Sequence, residues 1–197
     1  MKVYGTFILV TGLYGAGKTS LVSAALLSVE KLEYLKTTTT RLPRPEEIAH
    51  GSLEYDFVTR SEYEFRRRAS QYWDHSEVGG YEYGADIDRI NQKLAHGVSV
   101  ICCVAPDMAV ILEMRTLYAT PPVLIWVDTP LAIANARLLA SGDDSRAARV
   151  EHRLQSESVV EPVRHLSAVT FEPIGNLEID QANFIKMLTQ YMDASRR

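Results

Sequence analysis

The octapeptide Gly12-Leu13-Tyr14-Gly15-Ala16-Gly17-Lys18-Thr19 constrains this chain more than any other stretch. It fits G-x-x-x-x-G-K-[ST] and lies between the apolar run Thr6-Phe7-Ile8-Leu9-Val10 and the helical pattern Leu21-Val22-Ser23-Ala24-Ala25-Leu26-Leu27. A buried strand therefore feeds a tight glycine loop that opens a helix. Glycines let the backbone curl until several N–H groups converge on one anion, and the positive end of the following helix adds to the attraction. Lys18 supplies a mobile cation for the β- and γ-phosphates of a nucleotide, and the Thr19 hydroxyl a ligand for a magnesium ion bridging them. The expected phosphate cradle is Gly12, Gly15, Ala16, Gly17, Lys18, Thr19 and Ser20, with Thr19 on the metal.

Apolar runs at 6–11, 98–104, 122–127 and, more weakly, 168–171 alternate with helical patterns at about 18–34, 86–96, 107–118, 130–140, 145–166 and 177–194. Continuous apolar strands alternating with helices predict an α/β fold, a doubly wound parallel sheet covered on both faces. Residues 37–84 break the rhythm. Four threonines and two prolines in Thr37–Pro45 oppose a helix, and Tyr55-Asp56-Phe57-Val58 and Tyr72–Tyr83 read as strands of a small antiparallel lobe. A helix over 61–70 lies between them, with Ser61 and Glu64 in a capping-box pattern. The polar stretch Ala140–Arg149, preceded by Arg137 and followed by Arg153, reads as a flap. The expected organisation is a core of 1–36 and 86–197, an acceptor-binding lobe of 37–85 and a lid of 140–152.

A chain of 197 residues suits one domain with a sizeable core. Its net charge of -4 gives no support to sequence-independent binding of nucleic acid or of an anionic membrane, so any bound anion must be met by local basic residues. Cys102 and Cys103 are adjacent in an apolar run, without metal spacing, and read as buried thiols. The five histidines show no paired metal spacing, no apolar stretch approaches a membrane span, and Met1-Lys2-Val3-Tyr4 leads straight into the first strand. The expected location is cytoplasmic, as a monomer or homodimer.

Four stretches together resemble the guanylate kinases: the glycine loop, Thr39–Glu47 (T-T-R-x-P-R-P-x-E), Gly51…Tyr55-Asp56-Phe57-Val58, and Gly80-Tyr81-Glu82-Tyr83-Gly84. The resemblance runs from about residue 5 to 192. It implies a P-loop NTPase core with a small nucleoside-monophosphate-binding lobe and an arginine-bearing lid, and transfer of the γ-phosphoryl of ATP to GMP with Mg2+. It assigns the acceptor phosphate to Arg41, Arg44, Tyr55 and Tyr83, with Thr37 beside them and Glu47 orienting the arginines. Two arginines three residues apart on an extended loop can fork onto one phosphate, and tyrosine hydroxyls can fill its remaining oxygens. Lys18, Arg137 and Arg153 take the catalytic places around the transferring phosphoryl, with Arg146 and Arg149 as further lid candidates.

The pattern has departures. Asp74 stands where the family carries a guanine-reading glutamate, and Ala85 where a hydroxyl residue follows Y-G. Cys103 and Ala105 occupy the D-x-D positions at the end of the third core strand, with Asp107 close enough in sequence to substitute. Ser141 replaces a further lid arginine. The leading expectation is a nucleoside monophosphate kinase acting on GMP or a related small phosphate. The alternatives are a sugar-phosphate kinase of the ribose 1,5-bisphosphokinase type, which reads no base, and a non-catalytic guanylate kinase-like module that binds a phosphorylated protein segment.

Overall fold

The computed structural model describes residues 5–52, 54–78, 80–104, 106, 122–140 and 160–195. Strand β1 (Phe7–Thr11) is buried at all five positions because it lies at the centre of a five-stranded sheet. Ile8 pairs with Ile101 of β7 (Ser99–Cys103) on one side and with Val123 of β8 (Val123–Val127) on the other. The edges are β2 (Leu32–Tyr34), beside β7, and β9 (Val169–Phe171), beside β8. Every pairing is parallel and the order is β2-β7-β1-β8-β9, so the chain moves outward from β1, returns beside it, and then crosses to its other flank. The loop leaving β1 therefore opens at the point where the sheet's winding changes side, the place where open α/β sheets take ligands.

Strand alternation divides the core between two faces. Ile8, Val10, Ile101, Ile125 and Val127 pack under α1 (Lys18–Ser28) and the C-terminal helix α7 (Leu177–Ser195), whose Phe184, Leu188 and Met192 are buried. Phe7, Leu9, Val100, Leu124 and Trp126 pack on the opposite face with Ile90 of α4 (Ile87–Ala95) and Val163 of the helix at 160–166, α6. Both faces are thus covered, as the apolar runs predict. The remaining core helix, α5 (Leu131–Ala140), follows β8.

A second sheet of four strands runs β4-β3-β6-β5, formed by β3 (Thr37–Thr39), β4 (Tyr55–Phe57), β5 (Tyr72–Val78) and β6 (Tyr81–Asp86). It corrects the expectation of a purely antiparallel lobe. β3 pairs antiparallel with β6 but parallel with β4, because α2 (Pro45–His50) turns the chain over between them. Tyr63 of α3 (Arg60–Arg68) fastens that helix to the sheet: fully buried, it stacks on Tyr72 with centroids 4.7 Å apart and donates to the Tyr83 carbonyl at 2.6 Å.

Two helix boundaries also differ from the sequence reading. The pattern over 18–34 breaks at Ser28: Val29 is extended, Lys31 has φ 56°, and Leu32–Tyr34 pairs with β7, so edge pairing overrides helical spacing. α3 begins one residue before Ser61. Its cap is Thr59, whose hydroxyl accepts from the Glu62 N–H at 3.2 Å. The helix expected over 107–118, the part of the helix expected over 145–166 that precedes residue 160, and the lid expected over 140–152 apart from residue 140 lie outside the described residues.

Candidate active site

Gly12 leaves β1 at φ 145°, and a Cβ there would sit 2.6 Å from the Val127 carbonyl oxygen, so only glycine lets the loop pass the end of β8. Gly17, at φ 89°, caps α1 with no side chain of its own and leaves the helix's first N–H groups facing outward, as an anion requires. The loop is tied from beneath. Buried Thr129 donates to the Ala16 carbonyl at 2.9 Å, and Arg137 of α5 reaches the same oxygen at 3.4 Å. Lys18 curls over the loop and donates to the carbonyls of Gly12 at 2.7 Å and Leu13 at 3.0 Å. Desolvation lowers its pKa to about 8, against the opposing pull of Cys103 and Glu54. An ammonium held on neutral carbonyls in an enclosed site is poised to exchange them for phosphate oxygens.

Above the loop is a cavity of about 440 Å³, large enough for a nucleotide's phosphates and part of a second ligand. Gly12, Gly15, Gly17, Lys18, Thr19, Ser20 and Arg137 line it from the core, and Thr37 and Tyr55 from the small sheet. Ala16 is buried under the loop and contributes backbone only.

Arg41, Arg44, Glu47 and Tyr83 lie beyond the cavity lining but form one group with Tyr55. Arg41 donates through both terminal nitrogens to Glu47, at 3.0 and 2.8 Å, and its guanidinium lies over the rings of Tyr55 and Phe57 at 5.1 and 5.2 Å. Glu47 also accepts from the Arg44 N–H at 2.7 Å. The hydrogen bond from Arg41 holds the Glu47 carboxyl below the usual carboxylate range and raises the guanidinium's own pKa. The Tyr83 ring meets Tyr55 edge-on at 5.9 Å. This is an arginine clamped in one orientation by a fork and two aromatic faces, a geometry suited to a tetrahedral anion.

A family model described as Guanylate kinase matches residues 4–171. The chain belongs to the guanylate kinase family. It is 32% identical to a guanylate kinase of Psychrobacter arcticus over 76% of this chain and 70% of that protein, and 34% identical to one of Hahella chejuensis over 77% and 70%. A match at 39% to a guanylate kinase of Rubrobacter xylanophilus spans about half of each chain, 49% and 50%. Among solved structures, that of a guanylate kinase from Anaplasma phagocytophilum superposes with a TM-score of 0.70, covering 100% of this chain and 91% of that one at 19% identity, and so supports the fold. Membership places the chain among the nucleoside monophosphate kinases.

Against the pattern of the guanylate kinase family, the departures now have places. Cys103 ends β7 on the cavity wall, its N–H donating to the Tyr34 hydroxyl at 3.3 Å. It is only half-buried, which corrects the pairing of both cysteines as core thiols; Cys102 alone fits that description. Desolvation pushes the Cys103 thiol up to about 11 against the pull of Lys18, so it stays protonated at neutral pH. Ala85 is buried opposite Asp74 across the β5–β6 ladder, beside a register irregularity between Tyr72 and Asp74. The side chain of Asp74, and all of Ala105, Asp107, Ser141, Arg146, Arg149 and Arg153, lie outside the described residues.

Sequence reasoning missed Tyr34 and Glu54, both in the cavity wall. Glu54 sits one residue before the Tyr55 motif and lines the same cavity as Thr19, and desolvation raises its carboxyl's pKa above the usual range. The oxygen donors of Thr19 and Glu54 fit a small hard cation such as magnesium, whereas a neutral thiol does not. Among the described residues no cluster of three or more His, Cys, Asp or Glu could hold a metal by itself. No helix among the described residues is long and apolar enough to cross a membrane.

Proposed function

We propose that this chain transfers the γ-phosphoryl of ATP to a nucleoside monophosphate, with GMP as the favoured acceptor, in the presence of magnesium. One observation carries the reading: a single cavity has a complete phosphate loop on one wall and Thr37 and Tyr55, the near edge of an arginine-tyrosine group, on the other. Two phosphates bound to those walls face each other, which is what in-line transfer requires.

The loop N–H groups and Lys18 hold the donor's terminal phosphates, and Thr19 holds the magnesium, which neutralises phosphate charge when bound. Arg41 and Arg44 fix the acceptor phosphate with help from Tyr55 and Tyr83, while Glu47 keeps Arg41 from turning away. Arg137, resting on the Ala16 carbonyl beside Gly17, is placed to meet charge developing on the transferred group. Arg153 is proposed for the same task from the lid, and Asp74 for the acceptor base.

A coupled assay of ADP release against GMP, dGMP, AMP, CMP, UMP and ribose phosphates tests the proposal. Turnover with GMP supports it; turnover with ribose phosphates alone replaces it with the sugar-phosphate reading. The binding-module alternative predicts no thermal stabilisation by ATP with magnesium, where a kinase gains stability by mass action.

A further inference from the structure

Glu54 is the one carboxylate among the described residues in the cavity lining, and nothing in the phosphate-transfer scheme above uses it. Its backbone is fixed: its carbonyl accepts from the Thr37 N–H at 2.9 Å, and the next residue, Tyr55, pairs with Thr37 across β3 and β4 and donates to the Ser52 hydroxyl at 3.0 Å. From that position, on the small sheet's side, Glu54 lines the same cavity as Thr19 of the P-loop. A negative group in a cavity shaped for phosphates repels its own ligand unless a cation stands between them. Lys18 is one such cation, but its place is on the loop, beneath the phosphates. Magnesium takes one or two carboxylates together with substrate phosphates and waters, and among the described residues the strand-end position facing the loop offers it only the Cys103 thiol.

We infer that Glu54, reaching over from the acceptor side, supplies the carboxylate that holds the phosphate-bound magnesium beside Thr19, in the place left by a thiol at the end of β7. The inference rests on the proposed kinase reading and deepens it. It makes metal binding depend on the small sheet being seated against the loop, so that acceptor-side strands complete a donor-side site.

The test uses the full chain, the non-hydrolysable analogue AMPPNP, and Mn2+ followed by electron paramagnetic resonance, on wild type, Glu54→Gln and Glu54→Asp. Gln is close to isosteric at this half-buried loop position, and an unchanged melting temperature without ligand establishes that the variant folds. In the AMPPNP complex, Glu54→Gln should bind Mn2+ about 10-fold more weakly. It should bind metal-free AMPPNP at least as tightly as wild type, because a repulsive charge has gone. Glu54→Asp, which keeps the charge on a shorter stem, should recover part of the Mn2+ affinity. Equal Mn2+ affinity in wild type and Glu54→Gln overturns the inference and leaves the kinase reading standing. So does an equal loss of AMPPNP affinity with and without Mn2+, which would make Glu54 a merely structural support. A wild type that responds to neither AMPPNP nor its Mn2+ complex overturns both.

Discussion

In the proposed reaction the two sides of the cavity hold phosphate by different means. The core wall uses backbone: a loop whose curl is forced by Gly12 against the Val127 carbonyl, mounted on a strand buried at every position and tied down by Thr129. The small sheet offers side chains, Tyr55 on the wall with Arg41 and Tyr83 behind it, carried on short strands and loops and kept in place by one another and by Glu47. A backbone cradle is indifferent to most substitutions around it, since its donors belong to every residue. A side-chain clamp changes with each residue that is exchanged. The phosphate loop fits its pattern in full, whereas two of the departures, Asp74 and Ala85, are paired positions on β5 and β6, and a third, Cys103, ends β7 on the core side.

The contrast is breakable by substitution. The largest effect is expected at the point where the core wall does rely on a side chain: Lys18→Ala should lower kcat by ~10²-fold or more with an unchanged melting temperature. Retention of a tenth of the activity would remove Lys18 from the transferring phosphate. Next, Arg44→Ala should raise the acceptor KM by roughly 10- to 100-fold, the scale of a charge-assisted hydrogen bond, and leave ATP affinity within about twofold. A fall in ATP affinity instead would mean that the two walls are not separate sites.

Smaller still, Asp74→Glu should sharpen discrimination for GMP over AMP by ~1 kcal/mol, one hydrogen bond regained at the base. A wild type that already discriminates steeply, and loses that on substitution, would show that the shorter carboxylate reaches the base. The smallest effect concerns the clamp itself. Because Arg41 depresses the Glu47 carboxyl, the pair stabilises the fold above the ordinary carboxylate pKa of about 4.3, and the contribution fades as pH falls through the lower folded value. Glu47→Gln should cost at most a few degrees of melting temperature near neutrality, with the gap to wild type closing below about pH 5. A gap that persists to pH 3 would assign the effect to packing.

What the sequence discloses follows the same division. The loop is legible because several constraints coincide in eight consecutive residues, and the parallel core sheet follows from apolar runs too continuous to face water. The end of α1 is not legible, since Leu32 continues the helical spacing of Leu21, Ala25 and Ser28 until β7 offers it an edge. Thr59 and Ser61 each precede a glutamate by three residues, so local pattern cannot choose between them; the fold selects Thr59. Glu54 is invisible for a different reason. Its chemistry depends on a hydroxyl far along the chain that the seating of β3 and β4 brings into the same cavity.

Among the described residues the chain passes between its two sheets twice, through Leu35-Lys36 on the way out of β2 and at the Asp86-Ile87 junction on the way back into α4. Both passages are pinned on the core side, by the Leu35 N–H on the Ile101 carbonyl at 2.9 Å and by Asp86 capping the Arg89 N–H at 2.9 Å. In evolutionary terms the four-stranded sheet is a cassette. Its strands can be recut for another acceptor without disturbing the register of β1, and a graft of residues 37–86 from a relative should carry that relative's acceptor preference onto this phosphate loop. The exception is the carboxylate at position 54, which any transplanted segment would have to bring with it.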